Sequence, residues 1–486
     1  MASLPLLSLL ILTPLLGAIL VLARPGLPWA RTAALAAGLL ELGWSLAALY
    51  CFDPADAGFQ LVERTPWIAS LNIGYFLGVD GLSVLFLPAT ALLFLGVTLA
   101  GWLGIRAMPR LYFALLLLLQ AAIMGVFCAL DGVLFFVFWE LTLAPLYFLT
   151  SLWGRGAERV LAAGKYTLTM LTGGAAVLLA FVILSNAGGE PAFDLPTLAE
   201  RELARGPGMA VFLLFLFGFG VKTPVLPLHT WLPLLCREGP LAVAALTTGL
   251  KLGAYGLLRF ALPLAPLAAR ELHWLLAGLG TAAILYGGVI AVVQTHWRGV
   301  LAYSSIAHVG LVVLGLASFN QLGVQGAVLQ LLNFTLVAGG MCLVLEFLEA
   351  RTGSSHLLRL GGAAQTMPKL AAVFLLLGLA GLGIPGTAGF PAELMLILSA
   401  LQTHTGAALA ALFGMVLAAA YFLLAYRRAF FGPAQSGAVA QADDLLRREW
   451  WIAAVAAAWV LGVGLFPGPV LDLIRPAARV WAARFG

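Results

Sequence analysis

MAVFLLFLFGFGVKTPVLPLHTWLP, residues 209–233, is the stretch that decides the fold. An apolar run, 209–221, ends at Lys222, and Pro224 and Pro227 follow directly. A charge at bilayer depth costs about 2.5–3.5 kcal/mol on insertion scales, so a span that keeps one has a use for it. Prolines beside it predict a broken helix, whose freed backbone groups are tolerated only against protein or a wet cavity. A second lysine, Lys251, lies inside the next apolar segment, and Glu140 and Glu393 lie inside two others. Four ionisable groups in separate spans point to charge moved across a membrane.

The rest of the chain agrees. Its 486 residues are 62% hydrophobic and only 10% charged, against roughly 25% charged in a soluble domain. This composition predicts an all-α integral membrane protein. A nucleic-acid role is excluded, because the net charge of +5 comes from loop arginines and not from a basic face. The first span, Leu4–Leu22, lacks a basic leader and a small-residue cleavage site, and is expected to be a retained helix. Cys51, Cys128, Cys236 and Cys342 show no CxxC spacing. They are expected to be free thiols, with no iron–sulfur or zinc site.

Apolar runs of about 20 residues each match one bilayer crossing. They fall near 3–22, 30–50, 80–104, 111–129, 132–152, 162–185, 209–227, 240–262, 273–294, 300–318, 323–348, 369–401, 406–430 and 450–467. About fourteen helices follow. The segment 369–401 is too long for one straight span, and GIPGTAGFP (383–391) interrupts it much as the prolines interrupt the helix at Lys222. Loops on one side carry 16 Lys and Arg, among them Arg24, Arg106, Arg155, Arg298, Arg351 and Arg448. The positive-inside rule puts that side in the cytoplasm and both termini on the other side of a bacterial cytoplasmic membrane. Two broken helices about 170 residues apart predict two inverted five-helix repeats, helices 4–8 and 9–13, with discontinuous helices 7 and 12. The expected division is 1–110, 111–262 (first repeat), 263–431 (second repeat) and 432–486 (helix 14 and tail).

Each buried ionisable group has an expected part. Glu140 lies nine residues after Asp131, about 13 Å along a helix at 1.5 Å per residue, and so well inside. Moving Glu140 toward or away from Lys222 would switch the lysine between holding and releasing its proton. A static ion pair that anchors the bundle is the plainer reading of the same residues. Glu393 is expected to hold the place of Lys222 in the second half and to accept or release the proton at the end of the path. His308, with Ser304 and Ser305 close by, is expected to relay protons, as neutral imidazole can near physiological pH. A core histidine with its bonds satisfied is the alternative. His229, at the end of the break, is expected to cap or relay. His273, His296, His356 and His404 are expected in solvent near helix ends, and Arg259 is expected to snorkel to the interface.

One motif misleads. Gly381-Leu-Gly383-Ile-Pro-Gly386 matches GxGxxG, but no strand precedes it and a proline cuts it, so the dinucleotide reading fails on context. No Walker motif, metal-ligand cluster or nucleophile elbow is present in the sequence. No cofactor is expected on this chain.

The strings GVDGLSVLF (78–86), FWE (138–140), VKTPVLPLHTWLP (221–233), LKLGAYGLLRF (250–260), LAYSSIAHVGLV (301–312) and GIPGTAGFPAELM (383–395) carry a resemblance. Together they resemble the antiporter-like subunits of respiratory complex I, in particular subunit M of bacterial NADH:quinone oxidoreductase. The likeness runs from about residue 75 to 430. It implies a fourteen-helix fold with helices 7 and 12 broken. It also implies a hydrated proton path through Glu140, Lys222, Lys251 and Glu393, with His308 as the helix-ten histidine. Quinone and NADH would be handled by other subunits. The chain departs from the family pattern at Leu234-Leu235-Cys236, where Asp-Ala-His is usual. It departs again at Phe334, where a histidine is usual, and at His296 and Arg298, where an aspartate and a lysine are usual.

The leading expectation is thus a proton-translocating membrane subunit of an NADH:quinone oxidoreductase-type complex. Its partners would be other membrane subunits, protons (or Na+) and the lipid bilayer. Moving one charge against 100 mV takes about 2.3 kcal/mol, a size that one buried Glu–Lys contact can supply. The alternatives are a cation/proton antiporter, a membrane-bound hydrogenase, an inorganic-carbon uptake complex, or a subunit kept for assembly alone.

Overall fold

A computed structural model describes residues 4–485; Ser3, the first residue of the first expected span, lies outside them. Apolar runs fold as helices because lipid leaves every backbone group to be satisfied within its own segment. α1 (Leu6–Ala23) and α2 (Leu27–Tyr50) come first. Strands β1 (Gln60–Ile68) and β2 (Ile73–Val79) then form an antiparallel hairpin. This corrects the sequence reading, which leaves 51–79 as loop and starts the third span at residue 80. The strand residues alternate poorly, and their pairing is fixed from outside. The Oδ2 of Asp131 accepts the Gly74 N–H at 3.1 Å. The helix proper, α3 (Phe86–Gly104), starts six residues later than expected.

α4 (Pro109–Cys128), α5 (Gly132–Leu141), α6 (Leu143–Trp153), α7 (Arg159–Ser185) and the short α8 (Leu195–Glu200) follow. Asp131 starts α5 by accepting the N–H groups of Val133 and Leu134 at 2.9 and 3.0 Å, the usual duty of an N-cap aspartate. α9 (Arg205–Lys222) ends at the expected break, and α10 (Trp231–Glu238) resumes beyond it. The next crossing is broken too, which the sequence did not suggest. α11 (Leu241–Gly249) and α12 (Leu252–Gly256) are separated by Leu250 and Lys251, and a π-turn, π1 (Leu257–Ala261), leads into α13 (Leu262–Leu264).

The second half begins with α14 (Pro266–Glu271), α15 (His273–Val292) and α16 (Trp297–Leu316). α17 (Gln321–Asn333) and α18 (Gly339–Thr352) are joined by a second π-turn, π2 (Phe334–Ala338). After α19 (Ala363–Thr366), α20 (Pro368–Gly381) and α21 (Gly389–Thr403) are the halves of the second proline-broken helix. α22 (Thr405–Phe430), α23 (Gly437–Ala440) and α24 (Arg447–Leu465) follow. The expected tail is helical: α25 (Gly468–Ala483) lies against the hairpin end of the bundle, and its Trp481 indole N–H donates to the Leu258 carbonyl at 2.8 Å.

Among the described residues twelve helices are long and apolar enough to cross a membrane, and Phe86–Trp102 and Pro368–Gly381 are shorter apolar helices. The surface that carries β1, β2 and α25 is called the hairpin face below. The surface where α10 ends and α24 begins is called the opposite face.

Candidate functional site

The first half builds its charge site where three elements end. α5 stops at Leu141, and Thr142 breaks it from α6. The Thr142 hydroxyl donates to the Trp139 carbonyl at 2.7 Å, and its lone pairs face Lys222, whose Nζ donates to it at 2.9 Å. The ammonium also lies 4.0 Å from the centre of the Trp139 ring, a cation–π contact. Lys222 is buried, and so is Glu393. Glu140 is half-buried, and its Oε1 has no hydrogen-bond partner among the described residues. That oxygen rests against Gly174 of α7, where a Cβ would overlap it. Lys222 thus bonds to Thr142 and not to Glu140. The expected pair sits beside its partner without closing on it.

The break after Lys222 keeps its freed groups satisfied. The Trp231 indole donates to the Val221 carbonyl at 2.9 Å, and the Val225 N–H donates to the Gly220 carbonyl at 3.1 Å. His229 is buried edge-on to Tyr286 with ring centres 5.0 Å apart, and its Nδ1 has no partner among the described residues. Arg298 fixes the end of α10 by donating to the carbonyls of Cys236 and Gly239 at 3.0 and 2.6 Å. It also grips Glu349 with two bonds of 2.7 and 2.6 Å. A lysine could not supply this fork.

Lys251 is the hub between the halves. It sits in the gap between α11 and α12, donates to the Ser305 hydroxyl of α16, and lies 5.2 Å from the Phe334 ring centre. A cavity of about 20 Å³ bordered by Thr142, Lys222, Thr247 and Leu250 lies on one side of it. That is room for about one water. On its other side a cavity of about 50 Å³ is lined by Ser304, Ser305, His308, Gln330 and Asn333. Across the core three separate polar contacts follow one another, Lys222–Thr142, Lys251–Ser305 and His308–Glu393, with the two small cavities near them.

His308 and Glu393 end that row. The His308 Nδ1 faces the Ser304 carbonyl at 2.7 Å and its Nε2 faces the Gly381 carbonyl at 2.6 Å. An imidazole can donate at both nitrogens only when it carries two protons. Glu393 Oε1 is 3.6 Å from Nε2. The carboxylate rests against Gly383, which adopts φ +64° and has no room for a Cβ beside Glu393 Oε2. Lys222 closes the helix before its break, whereas Glu393 lies five residues into the helix after its own. The two charges flank their breaks from opposite sides.

Arg259 does not snorkel to an interface. It is buried on π1 and holds Asp80 with bonds of 2.7 and 2.5 Å, a pair 179 residues apart that no local pattern reveals. His273 and His404 meet at 2.8 Å, and His296 stacks edge-on to His356. Glu41 of α2 is fully buried with neither carboxylate oxygen bonded among the described residues, and it lies off the row above. Sequence reasoning gave no part to Thr142 or Asn333, and named Ser305 only as a neighbour of His308. Thr142 lies two residues from Glu140, and Asn333 holds the second break by donating to the Ala388 carbonyl at 2.8 Å.

The largest aromatic layer of each half lies to one side of its buried charge. Phe135, Trp139, Phe181, Phe215, Phe219 and Phe260 pack with centres 4.4–6.3 Å apart between Lys222 and the hairpin face. Trp297, Phe374, Phe422, Tyr426 and Phe430 pack at 4.5–5.9 Å between His308 and the opposite face. Away from these layers polar side chains mix with further rings: Thr150, Ser151 and His229 with Tyr166 and Trp231 in the first half, and Asn320, Ser399 and Gln402 with Phe319 and Phe485 in the second.

Known proteins share this architecture. Residues 129–418 match the family described as NADH:quinone oxidoreductase/Mrp antiporter, TM. NADH-quinone oxidoreductase subunit M of Rhodobacter capsulatus is 36% identical over 92% of this chain and 89% of that protein. F(420)H(2) dehydrogenase subunit M of Methanosarcina mazei is 36% identical over 97% of each. A chain of respiratory complex I from Thermus thermophilus superposes with a TM-score of 0.91 at 32% identity, covering 99% of this chain and all of that one. A chain of the Mrp complex from Dietzia superposes at 0.85 with 25% identity, covering 99% of both. With a family match over more than half its length and full-length relatives above 30% identity, this chain belongs to the NADH:quinone oxidoreductase/Mrp antiporter family of multi-pass membrane subunits.

Proposed function

We propose that the chain is the proton-translocating membrane subunit of an NADH:quinone oxidoreductase-type complex, driven by electron transfer in partner subunits. Glu140 and Lys222 load the proton, Lys251 passes it between halves, and His308 and Glu393 deliver it; His229 lies on the entry route. The single observation that supports this reading is the row of three buried polar contacts between the two broken helices. An anchoring ion pair would have Glu140 bonded to Lys222. Instead Lys222 bonds to a neutral hydroxyl and leaves the carboxylate free.

We take the chain to cross the membrane fourteen times, counting α3 once and the α20–α21 pair once. Residues 111–262 and 263–431 are then the two inverted repeats, flanked by 1–110 and 432–486. We place it in a bacterial cytoplasmic membrane with the arginine-rich opposite face inside and both termini outside, as the positive-inside rule directs. The electron donor belongs to the partners. Relatives of equal identity are named for NADH and for F(420)H(2).

The test is the proton-to-electron ratio of the assembled complex in sealed vesicles. Lys222→Ala and Glu140→Ala are each expected to collapse the ratio while the chain still inserts and the complex still transfers electrons. An unchanged ratio in either variant overturns the assigned roles.

A further inference from the structure

We propose that this chain binds one anionic phospholipid at the seam of α2, α3 and α24, its phosphate against Arg31, Arg106 and Arg448 and one acyl chain in the cleft beside them. The cleft has a volume of about 220 Å³ between α3, α18 and α24, larger than the roughly 150 Å³ that accommodates a benzene ring. Leu42, Leu95, Leu99, Leu336 and Leu343 line it. Trp451 and Val455 stand at the mouth, 73% and 40% exposed, so the cleft opens sideways toward lipid.

The charge lies one helical turn away. Arg448 precedes Trp451 by three residues, Trp102 follows Leu99 by three, and the Arg31 guanidinium lies 5.9 Å from the Trp102 ring centre. Residues three apart share a helix face. Arg106 and Arg448 are near enough for their charge to act on Arg31. The Nε of Arg31 and the Nε of Arg448 are buried without a hydrogen-bond partner among the described residues. Glu449 does not neutralise the cluster. It lies 3.8 Å from Arg448, but Arg351 already holds both its oxygens.

Guanidinium forks above an apolar slot match a phosphodiester with a hydrocarbon tail. Basic groups at the cytoplasmic boundary attract anionic lipid, whereas a zwitterionic headgroup brings its own cation into the cluster. A soluble phosphate has nothing to place in the slot. The far wall of the slot is π2: the Thr335 hydroxyl there reaches the Gly249 carbonyl at 3.3 Å, and the adjoining Phe334 lies beside Lys251. The tail thus rests on the segment that braces the gap around Lys251.

The test uses the intact complex and a phosphatidylglycerol carrying a photoactivatable diazirine in its acyl chain, with cross-links mapped by peptide mass spectrometry. Labelling is expected on residues 92–99, 336–343 and 451–456, competed by unlabelled phosphatidylglycerol and not by phosphatidylcholine. Arg31→Gln with Arg448→Gln is expected to lower it at least about tenfold by removing two lipid-facing charges. Val455→Trp, at the exposed mouth, is expected to abolish it. No label at the cleft, equal competition by phosphatidylcholine, or full labelling of the double arginine variant overturns the proposal.

Discussion

The two halves place a broken helix and a buried charge side by side, yet their largest aromatic layers lie toward opposite ends. Around Lys222 the layer lies toward the hairpin face. Around His308 and Glu393 it lies toward the opposite face. The charges differ as well. The first half holds an amine beside a free carboxylate, and the second holds an imidazole whose two nitrogens both face acceptors beside a carboxylate. In the proposed path the lateral step at Lys251 joins the two halves. The opposed layers are what two halves working in series would need.

Series operation is most directly broken at its charges. Lys222→Ala in one half and Glu393→Gln in the other are each expected to lower proton translocation at least about tenfold, the loss that follows from removing a charge worth over 1.4 kcal/mol to a transition state. The proton-to-electron ratio in vesicles checks this. Collapse in one variant with a normal ratio in the other would show two independent routes. The layers come next. Phe219→Ser is expected to raise passive proton leak about fivefold by placing a polar group and a void in a dry layer. Phe374→Ser is expected to raise the leak by a similar factor, because it opens the corresponding layer of the second half. Leak is read from the decay of an imposed pH gradient without electron donor.

The glycine cradles sharpen the comparison further. Gly174→Ala pushes Glu140 out of its seat by bulk alone, while Gly383→Ala adds a left-handed backbone penalty of about 1 kcal/mol to the same displacement of Glu393. Turnover is expected to fall about threefold for the first and more for the second. Equal effects would mean that backbone strain at the second break is relieved elsewhere. The smallest change is Thr142→Val, which leaves Lys222 with its ring contact only. A net hydrogen bond of about 1 kcal/mol predicts a severalfold-at-most drop in pumping rate, restored by Thr142→Ser.

Much of this was legible in the chain. The apolar runs located the helices, and Pro224, Pro227 and Pro385 marked both outer breaks. Charge in an apolar run marked Glu140, Lys222, Lys251 and Glu393 as candidates, yet the same pattern at Glu41, fully buried in α2, went unread. What stayed hidden depends on distant partners. The gap at Lys251 has no proline, and its shape depends on π1 and π2, whose wider turns answer to packing. Asp80 and Arg259 are both visible in the sequence, but their pairing is not. The hairpin needed Asp131 to anchor it, and Asp131 reads first as a helix cap.

The ring layer beside Lys222 has an electrical consequence. Six buried aromatic side chains make that part of the protein a layer of low polarisability, in which a charge is poorly screened. A charge displaced from Lys222 into that layer would therefore feel the membrane field with little screening, at about 2.3 kcal/mol for each full 100 mV crossed.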